Sequence, residues 1–321
     1  MTFVPLRPTK ESCKEFLPKS LAALRCPSRQ LSGGLVVLAR AVEYAVLALR
    51  QRNSRMTEHR TDVRPRWPLP THDYWSTPFA ESLLQHLDLC PGASILDIAS
   101  GHGIPAFYLA EQVGPTGEVL AIDLSVSQVE RARAIQGAQL PWLRFECLDM
   151  RALLPNLHCF DRITGNLSVM FFRPNRFDTV QRLVEHLNPG GQLVLTFPSL
   201  GTFDSLWRRI DQEMAVRGLL AERRRLEAYL AERPSAEDVR GWLDRLHLAR
   251  IAVTEYPLDV ATGPGPAFLH HPLLRGGFLD DVYECFEDQG LADEVMTRVS
   301  EDVGSFTPLI AQRCVLSGWK P

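Results

Sequence analysis

Ile95-Leu96-Asp97-Ile98-Ala99-Ser100-Gly101-His102-Gly103-Ile104-Pro105-Ala106 is the stretch whose reading decides the fold. Its first half is a compact apolar run of strand length, and its second half opens a run with helical spacing. Gly101 and Gly103 stand at the junction, where glycine allows positive φ and close approach of the backbone to a ligand. The helix that follows presents unsatisfied N–H groups to that ligand. Pro105 suits a first helical turn.

Working outward, Phe79, Leu83, Leu84 and Leu87 have helical spacing, and Pro91-Gly92 stops that helix. Apolar runs at 94–99, 118–122, 143–147, 160–165 and 192–197 alternate with helical patterns at 104–113, 126–135 and 177–187. Residues 188–191, Asn-Pro-Gly-Gly, read as the loop before the fifth run. Short apolar strands separated by helices predict a parallel sheet covered on both faces. Residues 202–248 are helical and charged, and runs at 251–260 and 309–318 add two strands. The expected fold is therefore α/β, a doubly wound, mostly parallel seven-stranded sheet with a helical cap inserted in the C-terminal half. The expected organisation is an N-terminal extension and Pro-broken linker over 1–70, a binding core over 71–200, and cap plus final strands over 201–321.

The loop alone does not choose its ligand. Gly101, Gly103 and Ala106 also fit the dinucleotide fingerprint. Asp97, at the strand end before the loop, would repel a pyrophosphate and welcome an ammonium group. Asp123 ends the second strand and can accept hydrogen bonds from ribose hydroxyls, which suits a dinucleotide equally well. Asp97 thus favours an amino-acid-bearing nucleoside.

With these acids the stretch resembles motif I of the class I S-adenosylmethionine-dependent methyltransferases, whose sheet is Rossmann-like. Val119-Leu120-Ala121-Ile122-Asp123-Leu124-Ser125 resembles their acidic-strand motif, and Glu146-Cys147-Leu148-Asp149-Met150 their adenine-contacting motif. The run from Leu187 to Leu195 resembles their loop and fifth strand. The likeness covers about residues 72–200, and it is closest to small-molecule enzymes similar to the quinone C-methyltransferases. It implies S-adenosylmethionine as cofactor. Asp97, Gly101 and Gly103 would hold the methionine part, Asp123 the ribose, and Leu124, Asp149 and Met150 the adenine. Asn166 would face the sulfonium, and Tyr74 would close over the cofactor. His102 departs from the branch, which has a small residue or Thr there.

The resemblance implies methyl transfer by in-line displacement to a small organic acceptor through O, N or C. The alternatives are an S-adenosylmethionine-binding protein without catalysis and an NAD-linked oxidoreductase using the same loop. Gly165-Asn166-Leu167-Ser168 lacks the Pro-Pro-aromatic pattern of amino-group nucleic-acid methylases, and no Pro-Cys pair offers a pyrimidine nucleophile. His102, His270 and His271 are the candidates for a general base, with surface histidines the plainer reading for the last two. Phe171, Phe172 and Tyr74 are candidates for cation–π contact with the sulfonium. Trp207 reads as an apolar anchor of the cap.

Composition agrees with a globular chain: 45% hydrophobic, 23% charged and a net charge of −3 over 321 residues. That balance does not attract a nucleic-acid backbone, so no nucleic-acid partner is expected. The seven cysteines show no CxxC spacing, so no disulfide framework or metal site is expected, and a reducing, cytoplasmic setting fits. Cys147 and Cys159 read as small buried hydrophobes. Residues 31–50 are apolar, but Arg40 and Glu43 fall mid-run, and a charge at a bilayer centre costs about 2.5–3.5 kcal/mol. An amphipathic helix is expected there rather than a membrane span. Met56 offers an alternative start that would leave residues 1–55 outside the native protein. The acceptor, the atom methylated and the oligomeric state are not encoded in these motifs.

Overall fold

A computed structural model describes residues 75–153, 159–260, 270 and 274–321, which fall in one compact unit. The expected extension and linker, the helix over 31–50, the Met56 start, Tyr74 and His271 lie outside the described residues.

Helix α1 (Ser76–His86) buries Phe79, Ala80 and Leu83. The sheet then builds through β1 (Ser94–Ile98), α2 (Ala106–Val113), β2 (Glu118–Asp123), α3 (Val126–Gln136), β3 (Leu143–Cys147) and β4 (Phe160–Gly165). Helix α4 (Arg176–Glu185) leads to β5 (Leu187–Pro198). Three helices follow, α5 (Asp204–Val216), α6 (Leu220–Ala231) and α7 (Ala236–Arg245), before β6 (Ala249–Val260). A π-helical turn over Leu274–Phe278 runs into the short α8 (Leu279–Tyr283), and α9 (Gln289–Glu301) precedes β7 (Leu309–Trp319).

The strand order is β3-β2-β1-β4-β5-β7-β6. The first five strands pair in parallel, and β7 lies antiparallel to both β5 and β6. Period-two alternation divides each strand between two cores. Leu96, Ile98, Leu120, Ile122 and Ile163 face Val180 and Leu183 of α4 and Val239 and Leu243 of α7. Ile95, Val119, Ala121 and Val194 face Leu83 of α1, Leu109 of α2 and Val129 of α3. Each large side chain buried in this way contributes about 1.5–3 kcal/mol. Capping reinforces the junctions: Ser125 accepts from the Gln128 N–H at the start of α3, and Ser235 and Asp238 form a reciprocal capping box on α7.

A third core joins Leu206, Trp207, Ile210 and Met214 of α5 to Leu226, Val282, Val295 and Met296, with Val260 and Leu309 from the sheet ends. This is the cap. Trp207 is 2% exposed and its Nε1 donates to the Thr202 carbonyl at 2.6 Å, as an anchor should. Two arginines of this region are paired with acids, Arg223 with Asp211 at 2.7 Å and Arg225 with Glu222 at 2.9 Å.

Four expectations need correction. Helix α4 ends at Glu185 and Leu187 already pairs with Phe160, so residues 188–191 sit within an irregular start of β5, marked by a register shift between Phe160 and Arg162. Helix α7, read as cap, packs on the sheet, because Val239 and Leu243 give it an apolar stripe that the sheet face covers. Cys147 and Cys159 are exposed, since each stands at a strand end rather than within a core. The helix expected from Ile104 starts at Ala106. Among the described residues no helix is long and apolar enough to cross a membrane.

Candidate functional site

A cavity of about 1100 Å³ opens beyond the carboxyl ends of β1, β2, β4 and β5. Its centre is the boundary between β1 and β4, where the chain reverses its direction of winding, the place where open α/β sheets bind ligands. The cap lines one side of it through Tyr229, Arg233 and Phe278.

The loop after β1 forms one wall with Ala99, Ser100, Gly101, His102 and Ile104. Gly101 has φ +52, and a Cβ there would meet nothing within 4 Å, so its backbone borders open space. Gly103 serves differently. It has φ +107 and a Cβ would strike the Phe107 ring, so it lets α2 pack and does not line the cavity.

Asp123 organises the loop. Its Oδ2 accepts from the Gly101 N–H and its Oδ1 from the Ser125 N–H, both at 2.8 Å. Each carboxylate oxygen has a further lone pair with which it can accept a second hydrogen bond, and Asp123 lines the cavity. Leu124, beside it, is 61% exposed on the wall.

Asp97 lies behind this wall and not on it. It is fully buried, its Oδ1 accepts from the Thr164 hydroxyl at 2.7 Å, and its Oδ2 has no partner. Burial pushes the carboxyl up to about 7; the Thr164 bond opposes this and the nearby Asp123 charge adds to it. The buried Ser100 Oγ and Gln128 Oε1 are also without partners, and both residues line the cavity. Orphaned polar atoms around a shelf of exposed backbone suit a ligand rich in amino and hydroxyl groups, as the nucleoside implied by the sequence is.

Two expected contacts are already engaged. Asp149 lines the cavity with Met150, but Arg151 grips its carboxylate through Nε at 3.0 Å and Nη2 at 2.8 Å. That contact holds the Asp149 carboxyl below its usual range. An adenine amine would have to share the carboxylate with Arg151. Asn166 also reaches the wall, yet its Nδ2 donates to the Ser76 carbonyl at 3.0 Å and its Oδ1 accepts from Thr196 at 2.8 Å. Its amide ties α1 to β5.

Of the histidines, His102 stands half-buried on the wall. His270 is exposed and is not on the wall, as a surface-loop residue would be. Phe171 is on the wall and 57% exposed, whereas Phe172 is fully buried in the sheet core. Among the described residues no cluster of three or more His, Cys, Asp or Glu is arranged to hold a metal ion.

Sequence reading missed the other half of the cavity. Trp75 packs against Phe79 at 4.9 Å and edge-on to Phe278 at 5.7 Å, joining α1 to the cap. Arg173 and Arg176 enter from the segment after β4, and Arg233 with Tyr229 from α6 and the turn after it. Burial pushes the Tyr229 hydroxyl up to about 12. No local motif marks these residues, because each reaches the site from a different element.

Residues 95–191 match the family of methyltransferase domains. The chain is 31% identical over 134 residues to aklanonic acid methyltransferase DauC of Streptomyces sp. (strain C5), which is 40% of this chain and 60% of that protein. It is 33% identical over 123 residues to nocamycin O-methyltransferase of Saccharothrix syringae, 38% of this chain and 43% of that protein. Among solved structures, the YcgJ protein of Bacillus subtilis superposes with a TM-score of 0.48 at 14% identity, over 76% of this chain and 98% of that one. The chain spans less than two thirds of the length of either curated relative.

Proposed function

From the premise that this chain carries a class I S-adenosylmethionine-dependent methyltransferase domain, we propose that it transfers a methyl group to a small organic acceptor enclosed by the cap. The observation that carries this reading is the pair of acids around the glycine loop. Asp123 is hydrogen-bonded to the Gly101 N–H, and the buried Asp97 stands behind it with one oxygen unpartnered. Asp97, ionising beside a bound ammonium group, favours a nucleoside bearing an amino acid, and Asp123 serves the ribose of that nucleoside.

When bound, S-adenosylmethionine supplies the methyl group on a sulfonium, already a strong electrophile, so the protein's task is alignment and exclusion of water. The loop from Ala99 to Gly101, with Asp97 behind it, receives the methionine part. Asp123 receives the ribose hydroxyls with the lone pairs that Gly101 and Ser125 leave free. Leu124 and Met150 pack on the adenine, and Asp149 meets its amine once Arg151 yields. Phe171 offers an aromatic face to the sulfonium. Asn166 acts at one remove, holding the first turn of α1 against the cavity. His102 is the titratable side chain of the glycine loop and the candidate to accept a proton, if the acceptor must lose one.

Isothermal titration with S-adenosylhomocysteine and with NADH tests the reading. Saturable binding of S-adenosylhomocysteine with no heat from NADH is expected. Binding of NADH alone would overturn it.

A further inference from the structure

The cavity wall carries three carboxylates, and each is already engaged. Asp123 holds the Gly101 and Ser125 N–H groups, Asp149 holds Arg151, and Asp281 faces the Tyr229 hydroxyl. Three other cations of the wall, Arg173, Arg176 and Arg233, are less well matched. Arg173 pairs with Glu232 at 3.2 Å in an exposed contact. Arg233 has no carboxylate partner among the described residues. It donates to the Thr202 carbonyl and to the Tyr229 hydroxyl, and stacks among the rings of Trp207, Tyr229 and Phe278 at 5.0–5.3 Å.

Arg176 is the least satisfied of the group. It lines the cavity half-buried, makes no ion pair among the described residues, and its buried Nε has no hydrogen-bond partner. Burial first, and then the like charge of Arg173, work against its guanidinium, with the Glu232 charge offsetting part of this, and the group stays charged regardless. A half-buried guanidinium whose shielded Nε lacks a partner carries a cost that a bound anion would relieve. The same cavity wall carries apolar and aromatic side chains, Trp75, Met170, Phe171 and Phe278.

We infer that the acceptor is an organic anion, a flat or apolar carbon skeleton bearing a carboxylate that docks on Arg176, with Arg233 adding to the positive field. The inference rests on the methyltransferase reading for the word acceptor, but the binding claim stands on the cavity alone. A planar guanidinium binds a carboxylate through two parallel N–H···O bonds, which fixes orientation as well as position. The apolar body then lies against the aromatic wall.

The test titrates the protein, with and without S-adenosylhomocysteine, with two carboxylates and their neutral amides: 2-naphthoate against 2-naphthamide, and trans-cinnamate against cinnamamide. At least one carboxylate binds wild type about tenfold more tightly than its amide, and Arg176→Gln reduces that preference to about threefold or less. Arg176→Lys keeps part of the preference, since it keeps the charge and loses the fork; a merely structural role for Arg176 would make the two variants alike. The inference is overturned if the amides match the carboxylates, if neither carboxylate binds, or if the preference survives in Arg176→Gln. Loss of S-adenosylhomocysteine binding by wild type would instead defeat the methyltransferase reading. The titrations run without that ligand still decide the matter of Arg176.

Discussion

Asp97→Asn removes a buried carboxyl whose native proton affinity is displaced by its surroundings. Wild-type Asp97 holds its proton up to about 7, against 3.8 when the chain is unfolded. Between those values the native state binds more protons than the unfolded one, so stability falls as pH rises. The contribution is complete below 3.8 and gone above about 7. At about 1.4 kcal/mol per pH unit, the span corresponds to roughly 4 kcal/mol, an upper value because water penetration softens burial. The variant has no such titration. It still accepts the Thr164 hydroxyl bond through its Oδ1, but it places an amide where Oδ2 has no partner, a penalty of about 1–3 kcal/mol that does not vary with pH. The informative quantity is therefore the stability difference, variant minus wild type, followed by urea unfolding from pH 4.5 to 8.5. It should climb by up to roughly 3 kcal/mol over that range and level off above pH 7. Parallel stability curves for the two proteins would refute the buried, protonated Asp97.

Asp123→Ala should weaken S-adenosylhomocysteine binding by about 1–3 kcal/mol and loosen the loop, because two backbone N–H groups lose their acceptor. Calorimetry reads the affinity, and unchanged binding would remove Asp123 from the site. Arg151→Ala should tighten S-adenosylhomocysteine binding by up to about threefold, since the exposed pair with Asp149 is a weak one and the freed carboxylate can take the adenine amine. Weaker binding in that titration would show Arg151 to be positioning Asp149 rather than competing for it. Trp207→Ala should lower stability by about 3–5 kcal/mol, through the void left among Leu206, Ile210 and Met214. Thermal unfolding checks this, and a melting temperature within a degree or two of wild type would exclude Trp207 as the anchor of the cap.

What the sequence determined by itself was local. The run from Ile95 to Ala106 dictates a strand, a glycine turn and a helix because its apolar spacing and its two glycines act over neighbouring residues. Asp123 was readable because it ends a strand about as far downstream as the fold requires. The alternation of strands and helices carried the doubly wound sheet, since each apolar run has the length and period of its own element. Tertiary structure decided what depends on contacts between distant segments. Only in the fold does β7 slip between β5 and β6, and only there does α7 cover the sheet and leave the cap. Asn166 and Asp149 looked free because their partners, Ser76, Thr196 and the returning side chain of Arg151, do not announce themselves in sequence. Arg176 and Arg233 look like ordinary helix arginines until α4, the turn after α6 and the cap bring them to one cavity. Periodicity and turn chemistry act along the chain, whereas the charge balance of a site is a sum over everything that folding places around it.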